Sequence, residues 1–222
     1  LGDIKGWKIA YSIDLGYIPV DPEVRKNTLE AVQTFRDLGC TLEEVDIGWD
    51  ARVKKAAWVH LAGLFGAWVG QLLPQHADKM NDYALEFACR AEKVTMRDFM
   101  EGMMIEGEMY KSLGAILQKY NLLLCPTLAL PSVRNDMDFA DKNFQVNGVT
   151  IDPYLDWCMT YPFNVMSRCP VMSVPSGFAA NGVPTGLQIV GRTFDDVSVF
   201  RAAAAFEKAR PWLDAPERRP KL

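Results

Sequence analysis

Leu122-Leu123-Leu124-Cys125 is an unbroken apolar run of strand length, halted by Pro126 and followed by Thr127. An apolar run without alternation is what a strand buried on both faces looks like, and such strands belong to sheets covered by helices. Working toward the N-terminus, Lys8-Ile9-Ala10-Tyr11 reads as a second short buried strand. Pro19 and Pro22 flank Asp21, an acidic cap followed by proline at the first helical position, so a helix is expected from about Pro22 to Leu38. Its apolar positions Val24, Leu29, Val32, Phe35 and Leu38 fall near helical spacing, and Gly39 stops it. A further strand around Leu42 to Val45 completes a strand-helix-strand unit, which implies a partly parallel sheet with helices packed on it. Thr127 then stands at a strand end, where open α/β sheets place their sites.

Between these strands, Ala51 to Tyr120 is rich in Ala, Met and Leu and reads as long helices, with expected interruptions near Pro74 and at Thr95. Thr95-Met96-Arg97-Asp98 fits a capping box. Beyond Thr127, Pro131 to Gly148 is polar and irregular, and is expected to be an exposed loop or flap of a length that is often functional. The reading continues with a short helix near Pro153 to Met159, a strand near Val171 to Val174, a turn at Asn181-Gly182, a strand near Gly186 to Val190 and a helix from about Asp195 to Ala209. Asp195 and Asp196 would sit at the positive end of that helix, and Lys208 and Arg210 at its negative end. No repeat or low-complexity segment is found, and only the Pro- and Arg-containing tail after Trp212 is expected to be loosely held. The organisation expected is one domain over residues 1 to 222.

The 222 residues are 49% hydrophobic, enough for one substantial core. A formal charge of -4, with basic residues spread along the chain, gives no footprint for nucleic acid. Cys40, Cys89, Cys125, Cys158 and Cys169 are odd in number and widely spaced, which argues for reduced thiols in a cytoplasmic protein rather than a disulfide framework or a thiolate metal site. Ala56 to Leu73, with Trp58, Leu64, Phe65, Trp68 and Val69, is the most membrane-like stretch, but it reads as too short and too polar to span. Gly66 and Gly70 within it would let another helix come close. Leu1 opens straight into strand-like sequence, and is expected to be an internal point of a longer polypeptide.

A search for catalytic machinery finds little. The serines are isolated, without a G-x-S-x-G elbow, an adjacent pair or a glycine-rich frame; Ser173 and Ser176 read as strand and turn serines bonded to nearby backbone. His60 and His76 both fall in the helical region, and His60, among Trp58, Val59, Leu61 and Leu64, reads as an interface histidine. Dinucleotide and P-loop patterns are missing, so neither a cofactor nor a metal is expected.

The segment Thr160-Tyr161-Pro162-Phe163-Asn164-Val165-Met166-Ser167-Arg168-Cys169-Pro170-Val171-Met172-Ser173-Val174-Pro175-Ser176-Gly177-Phe178 resembles the amidase-signature hydrolases, in which a Pro-x-Asn step leads into a strand ending Val-Pro-x-Gly. Gly182-Val183-Pro184-Thr185-Gly186-Leu187-Gln188-Ile189-Val190-Gly191-Arg192, followed by Phe194-Asp195, is similar to that family's next block. Leu123-Leu124-Cys125-Pro126-Thr127 and the Lys8 to Val45 unit extend the likeness more weakly over most of the chain.

The resemblance implies an α/β fold, a mixed sheet covered by helices, present here as its C-terminal half. It implies hydrolysis of a carboxamide to acid and ammonia or amine by a serine nucleophile, aided by a second serine in a cis peptide and by a lysine. In the family those residues precede this region, so no catalytic residue falls on this chain, which alone is expected to be inactive. Pocket-wall roles carry over to Thr127, Phe163, Asn164 and Asp195, with Thr160 and Gln188 behind them. The expected partners are a small-molecule amide and either the missing N-terminal half or a second copy. Arylamides, amino-acid amides and the glutamine of amidotransferase subunits all remain open as substrates. So do two other readings: a non-catalytic binding or structural subunit of amidase-like ancestry, and a cysteine hydrolase using Cys125 or Cys169 with a histidine.

Overall fold

The computed structural model describes residues 2–212; the tail after Trp212 lies outside the described residues. In chain order the elements are β1 (Lys8–Tyr11), α1 (Pro22–Asp37), β2 (Thr41–Glu44), α2 (Arg52–Leu61), a π-helical turn (Ala62–Gly66), α3 (Ala67–His76), a 3-10 turn (Ala77–Lys79), α4 (Asp82–Ala91) and α5 (Met96–Lys119). There follow β3 (Leu122–Pro126), β4 (Gln145–Val146), β5 (Val149–Thr150), α6 (Tyr161–Met166), β6 (Val171–Phe178), β7 (Pro184–Val190) and α7 (Asp196–Ala209).

The main sheet has the order β2-β1-β3-β7-β6. β1 runs parallel to both β2 and β3, whereas β7 is antiparallel to β3 and β6, so the sheet is mixed. β3 lies in the middle with every residue buried, as its unbroken apolar run requires. Leu124 sits between Tyr11 of β1 and Ile189 of β7.

Helices cover this sheet for local reasons. Asp21 accepts from the Glu23 N–H and Pro22 opens α1, which then buries Val24, Ala31, Val32 and Phe35 along one face. Phe35 stacks on Phe206 of α7 with ring centroids 5.2 Å apart, joining α1 and α7 into one layer. A second helical group forms around α2 and α5. The capping box at Thr95 is complete, with Thr95 Oγ1 accepting from the Asp98 N–H and the Asp98 carboxylate accepting from the Thr95 N–H.

Four local expectations differ. The helix near Pro153 to Met159 is a series of turns, because side chains take the backbone groups a helix would use. Asp152 Oδ1 accepts from the Tyr154 N–H, Asp156 Oδ2 from the Asp152 N–H, and Trp157 Nε1 donates to the Pro153 carbonyl. The helix comes later, as α6. Pro74 does not interrupt α3 where it stands; the helix runs on to His76 before ending. The flap is not wholly irregular, since β4 and β5 pair across Asn147-Gly148, both at positive φ (49° and 75°). Asn-Gly is the residue pair that suits such a hairpin turn.

The fourth difference concerns Arg52 to Lys79, which forms one continuous helical run, long and apolar enough by length and composition to cross a membrane. The expectation that it is too short is therefore corrected. Its packing is that of a helix against helices: Val53, Ala56, Ala57, Ala62, Gly66 and Val69 are buried. A Cβ at Gly66 would overlap the Phe87 carbonyl of α4, so only glycine permits this approach, while at Gly70 a Cβ would meet nothing among the described residues. Beside this contact Arg90 lies 3.7 Å over the Trp58 ring. Phe139 of the flap sits 5.3 Å ring to ring from Tyr83 and from Tyr154, which ties the flap to α4.

Candidate functional site

Thr127 is pinned from both sides by its backbone. Its N–H donates to the Gly186 carbonyl at 2.9 Å and its carbonyl accepts from the Met159 N–H at 3.1 Å. Its hydroxyl lies 3.0 Å from Ser173 Oγ on β6. Gly186 makes this pairing possible, because a Cβ there would stand 2.6 Å from Thr127 Oγ1 and 3.3 Å from Ser173 Oγ. The hydroxyl pair opens into a groove of 390 Å³ whose other walls include Val24, Leu130, Pro131 and Pro184. It is an apolar trough with one polar spot.

Gln188 stands opposite Cys125 in the β3–β7 register and is buried. Its Nε2 donates to the carbonyls of Pro126 and Met159, both at 2.9 Å, clamping the end of β3 to the segment that carries Thr160. Thr160 is half-buried, and its side chain does not cap α6.

Phe163 and Asn164 come next, on α6. Phe163 is buried against Trp49, ring centroids 5.5 Å apart, and Trp49 is fixed in turn by Nε1 bonds to the Met109 carbonyl and to Ser112 Oγ on α5. Asn164 points outward and, with Phe163, Arg168, Val171, Phe194 and Asp196, lines a second depression of 420 Å³. Asp195 caps α7 by accepting from the Ser198 N–H at 3.2 Å. The residues expected together thus fall into two groups. Thr127 abuts the start of β7 while Asp195 follows its end; Gly186 and Val190 alone are roughly 13 Å apart at 3.3 Å per residue. Thr160 and Gln188 lie between.

Both depressions touch β6, the first at Ser173 to Pro175 and the second at Val171, and β6 is one of the two edges of the sheet among the described residues, β2 being the other. The β6 edge is flanked by exposed apolar side chains: Val171 at 37%, Val197 at 64%, Phe200 at 55% and Phe194 at 95% of their full accessibility. An edge of this length with apolar neighbours is a template for another polypeptide.

One part of the support was not apparent in the sequence. Tyr161, the first residue of α6, shares a 2.8 Å hydroxyl contact with Tyr17, and burial pushes both phenols well above the usual tyrosine range. The Asp156 carboxylate adds to both shifts and is held at 2.7 Å by Lys54, in an ion pair largely out of solvent. This cluster anchors the start of α6, and through it the positions of Phe163 and Asn164. Its members lie far apart in sequence and in no motif, so only their meeting in space reveals them.

Among the described residues, neither Ser173 nor Ser176 hydrogen-bonds a base, and neither Cys125 nor Cys169 is activated as a nucleophile. Ser173 bonds Thr127, and Ser176 bonds Thr185 Oγ1 at 2.8 Å, so both use side-chain rather than the expected backbone partners. Burial holds the Cys125 thiol far above its usual range despite the opposing Gln188 hydrogen bond, and raises Cys169 as well. A nucleophilic cysteine needs the reverse shift, so the cysteine-hydrolase reading has no support here. His60 Nδ1 lies 3.2 Å from Glu106 between α2 and α5, an interface contact as expected. Among the described residues no three His, Cys, Asp or Glu side chains are placed to hold a metal ion.

A profile of the amidase family matches residues 2–200. The chain belongs to the amidase family. Among its relatives, an acylamidase of Rhodococcus erythropolis is 32% identical over 96% of this amidase-family chain and 44% of its own length. A glutamyl-tRNA(Gln) amidotransferase subunit of Lactiplantibacillus plantarum is 28% identical over 94% of the chain and 46% of its own length. The crystal structure of a bacterial aryl acylamidase of the amidase signature family superimposes with a TM-score of 0.85 at 29% identity, covering 99% of this chain and 47% of that one. The amidase-family chain therefore spans about half the length of the relatives it matches. The mixed sheet and its helices are half of their fold.

Proposed function

We propose that this chain is the C-terminal, pocket-forming half of an amidase that hydrolyses a carboxamide to a carboxylic acid and ammonia or amine. In this reading the two serines and the lysine come from polypeptide preceding Leu1 or from a separate chain. The observation that carries it is the contact of both depressions with the edge strand β6. A second half seated on that edge would roof both and bring its nucleophile to them. Thr127 and Ser173 offer the substrate amide one polar contact inside an apolar groove, the arrangement of small-molecule sites in general. Asn164 and the depression around it face the same edge. Asp195 Oδ1 is taken up by the cap of α7 and Gln188 Nε2 by backbone carbonyls, so the part of both is to hold the walls.

The substrate proposed is an uncharged acyl or aryl amide. The walls of the Thr127 groove carry no charged side chain to meet the ammonium and carboxylate of free glutamine, and the acylamidase relative is more similar than the amidotransferase one. The test is to assay an acyl anilide and glutamine with this chain alone and with the polypeptide encoded upstream supplied. Anilide hydrolysis that appears only with the upstream polypeptide, and disappears when its serine is replaced by alanine, is the expected result. Glutamine as the sole substrate would overturn the substrate assignment. Inactivity of the complete protein toward both amides would favour a binding or structural subunit.

A further inference from the structure

Two grooves follow one another along β6. The Thr127 groove, of 390 Å³, takes Ser173, Val174 and Pro175 of that strand and Val24 from the first turn of α1. A neighbouring groove of 420 Å³ takes Pro175 to Phe178 of the same strand, with Lys26, Asn27 and Glu30 from further along the same helix. Among the described residues, Pro175 and Trp212 are the two that line both. Pro175 belongs to the strand. Trp212 comes from beyond α7, two residues after the Arg210 N–H closes that helix on the Phe206 carbonyl at 2.8 Å.

A ring stack holds Trp212 in this place. Its ring lies against Phe178 with centroids 4.6 Å apart and planes 17° apart. Phe178 is fixed in turn through its backbone: it pairs with Pro184 of β7, and its carbonyl accepts from Asn27 Nδ2 at 3.0 Å. The same Nδ2 donates to Thr185 Oγ1 at 3.0 Å, so α1 grips both strands at this level. The shared wall divides two chemistries. On one side is the apolar trough with the Thr127–Ser173 hydroxyl pair; on the other are Lys26, Glu30 and Arg210. Ser173 stands two residues before Pro175, ~7 Å at 3.3 Å per residue. An amide held at the hydroxyl pair, with its acyl group directed along β6 toward Pro175, therefore has a short apolar run before it meets the indole.

We propose that Trp212 is a specificity-determining residue: it ends the acyl site, so that short acyl groups fit and long ones are turned back. This rests on the reading of the Thr127 groove as the acyl site of an amidase. Removal of the indole opens the trough into the neighbouring groove, and an acyl chain too long for the first then has room to continue.

The test measures kcat/KM of the natural full-length protein for acetanilide and for octananilide. A methylene that a pocket cannot hold changes kcat/KM by about tenfold or more, so the wild type should favour acetanilide by at least about tenfold. W212A should raise the ratio of octananilide to acetanilide by at least about tenfold, while W212F, which keeps a flat ring on Phe178, should hold it within about threefold of wild type. F178A, which removes the ring that supports the indole, should raise the ratio about threefold, and it decides the matter if W212A does not fold. Damage to the fold would depress both activities together and leave their ratio where it was. A ratio unmoved in W212A and in F178A, or a wild type that hydrolyses octananilide as readily as acetanilide, would overturn the proposal and leave the amidase reading standing. Hydrolysis of neither anilide, by wild type and variants alike, would overturn that reading and the proposal with it.

Discussion

Gly186→Ala is predicted to destabilise the protein, and most of the cost is predicted to come from one neighbour. Alanine within a strand ordinarily gains about 0.5–1 kcal/mol over glycine by restricting the unfolded chain. Here the added methyl would stand 2.6 Å from Thr127 Oγ1 and 3.0 Å from Thr127 Cβ, with Ser173 Oγ next at 3.3 Å. Overfilling a packed site costs about 1–3 kcal/mol, so the net loss should be about 1–2 kcal/mol. Thr127→Ala alone should cost about 1 kcal/mol through the hydroxyl pair. In the Thr127→Ala background the closest clash is gone, so Gly186→Ala should cost at least about 1 kcal/mol less, a coupling typical of residues in contact. Urea unfolding of the four proteins in the cycle, read from midpoints at constant slope, measures this directly. If Gly186→Ala is neutral, or if the two changes add without coupling, then Gly186 does not make room for the Thr127 hydroxyl and the account of the groove is wrong.

Gly66→Ala should cost about 3 kcal/mol or more in thermal melts, since the backbone carbonyl of Phe87 cannot yield as a side chain can, while Gly70→Ala should stabilise by up to about 1 kcal/mol. Thr95→Ala should lower stability by about 1 kcal/mol at neutral pH. Thr95 holds the Asp98 carboxyl below its usual range, so that group's share is present above the ordinary aspartate range and is lost as pH falls through the lowered value; the gap between wild type and mutant should narrow in acid. With a thiol reagent on the native protein, the fast-reacting cysteine should be Cys89, which is exposed, while Cys40 and Cys158, pushed up to about 11 by burial, should react only on unfolding. Those two thiols, Cys40 buried and Cys158 half-buried, add to stability below the ordinary thiol range, and their share is lost as pH rises toward the shifted values. Asp195→Asn should leave stability within about 0.5 kcal/mol, because asparagine caps as well as aspartate, whereas Asp195→Ala should cost about 1 kcal/mol; activity lost equally in both would show that the charge itself reaches the substrate.

Much of the scaffold could be read from local sequence because local chemistry built it. The apolar run at Leu122 became a fully buried central strand, Asp21-Pro22 and Thr95-x-x-Asp98 became helix starts, and Asp195 became the cap of α7. The failures cluster where contacts between distant residues decide. Pro153 looked like a helix start, yet Asp152 and Asp156 take the backbone groups that a helix needs. α6 is a six-residue helix that owes its place to Trp49 and to the Tyr17 contact rather than to any periodicity of its own. The Asn147-Gly148 hairpin was legible from its residue pair alone and was absorbed into a polar loop. At the site, Thr127, Phe163, Asn164, Asp195, Thr160 and Gln188 were named through family resemblance, but that Thr127 lines one depression and Phe163 and Asn164 another, with Asp195, Thr160 and Gln188 in neither wall, and that the Ser173 hydroxyl lies beside Thr127, required the three-dimensional arrangement.

The ring of Phe139, packed against the Tyr83–Tyr154 stack, joins the buried Val146 in mooring residues 131–148 to the rest of the fold. Exchange of that segment among related enzymes, by recombination or in the laboratory, succeeds only when the incoming loop brings an aromatic ring to the same place. A library that keeps Phe139 and varies the exposed positions beside it, Asp138, Ala140 and Lys142, changes the surface of the segment from a fixed mooring. One that randomises the whole segment discards the mooring first, and most of its members fail before their chemistry is ever sampled.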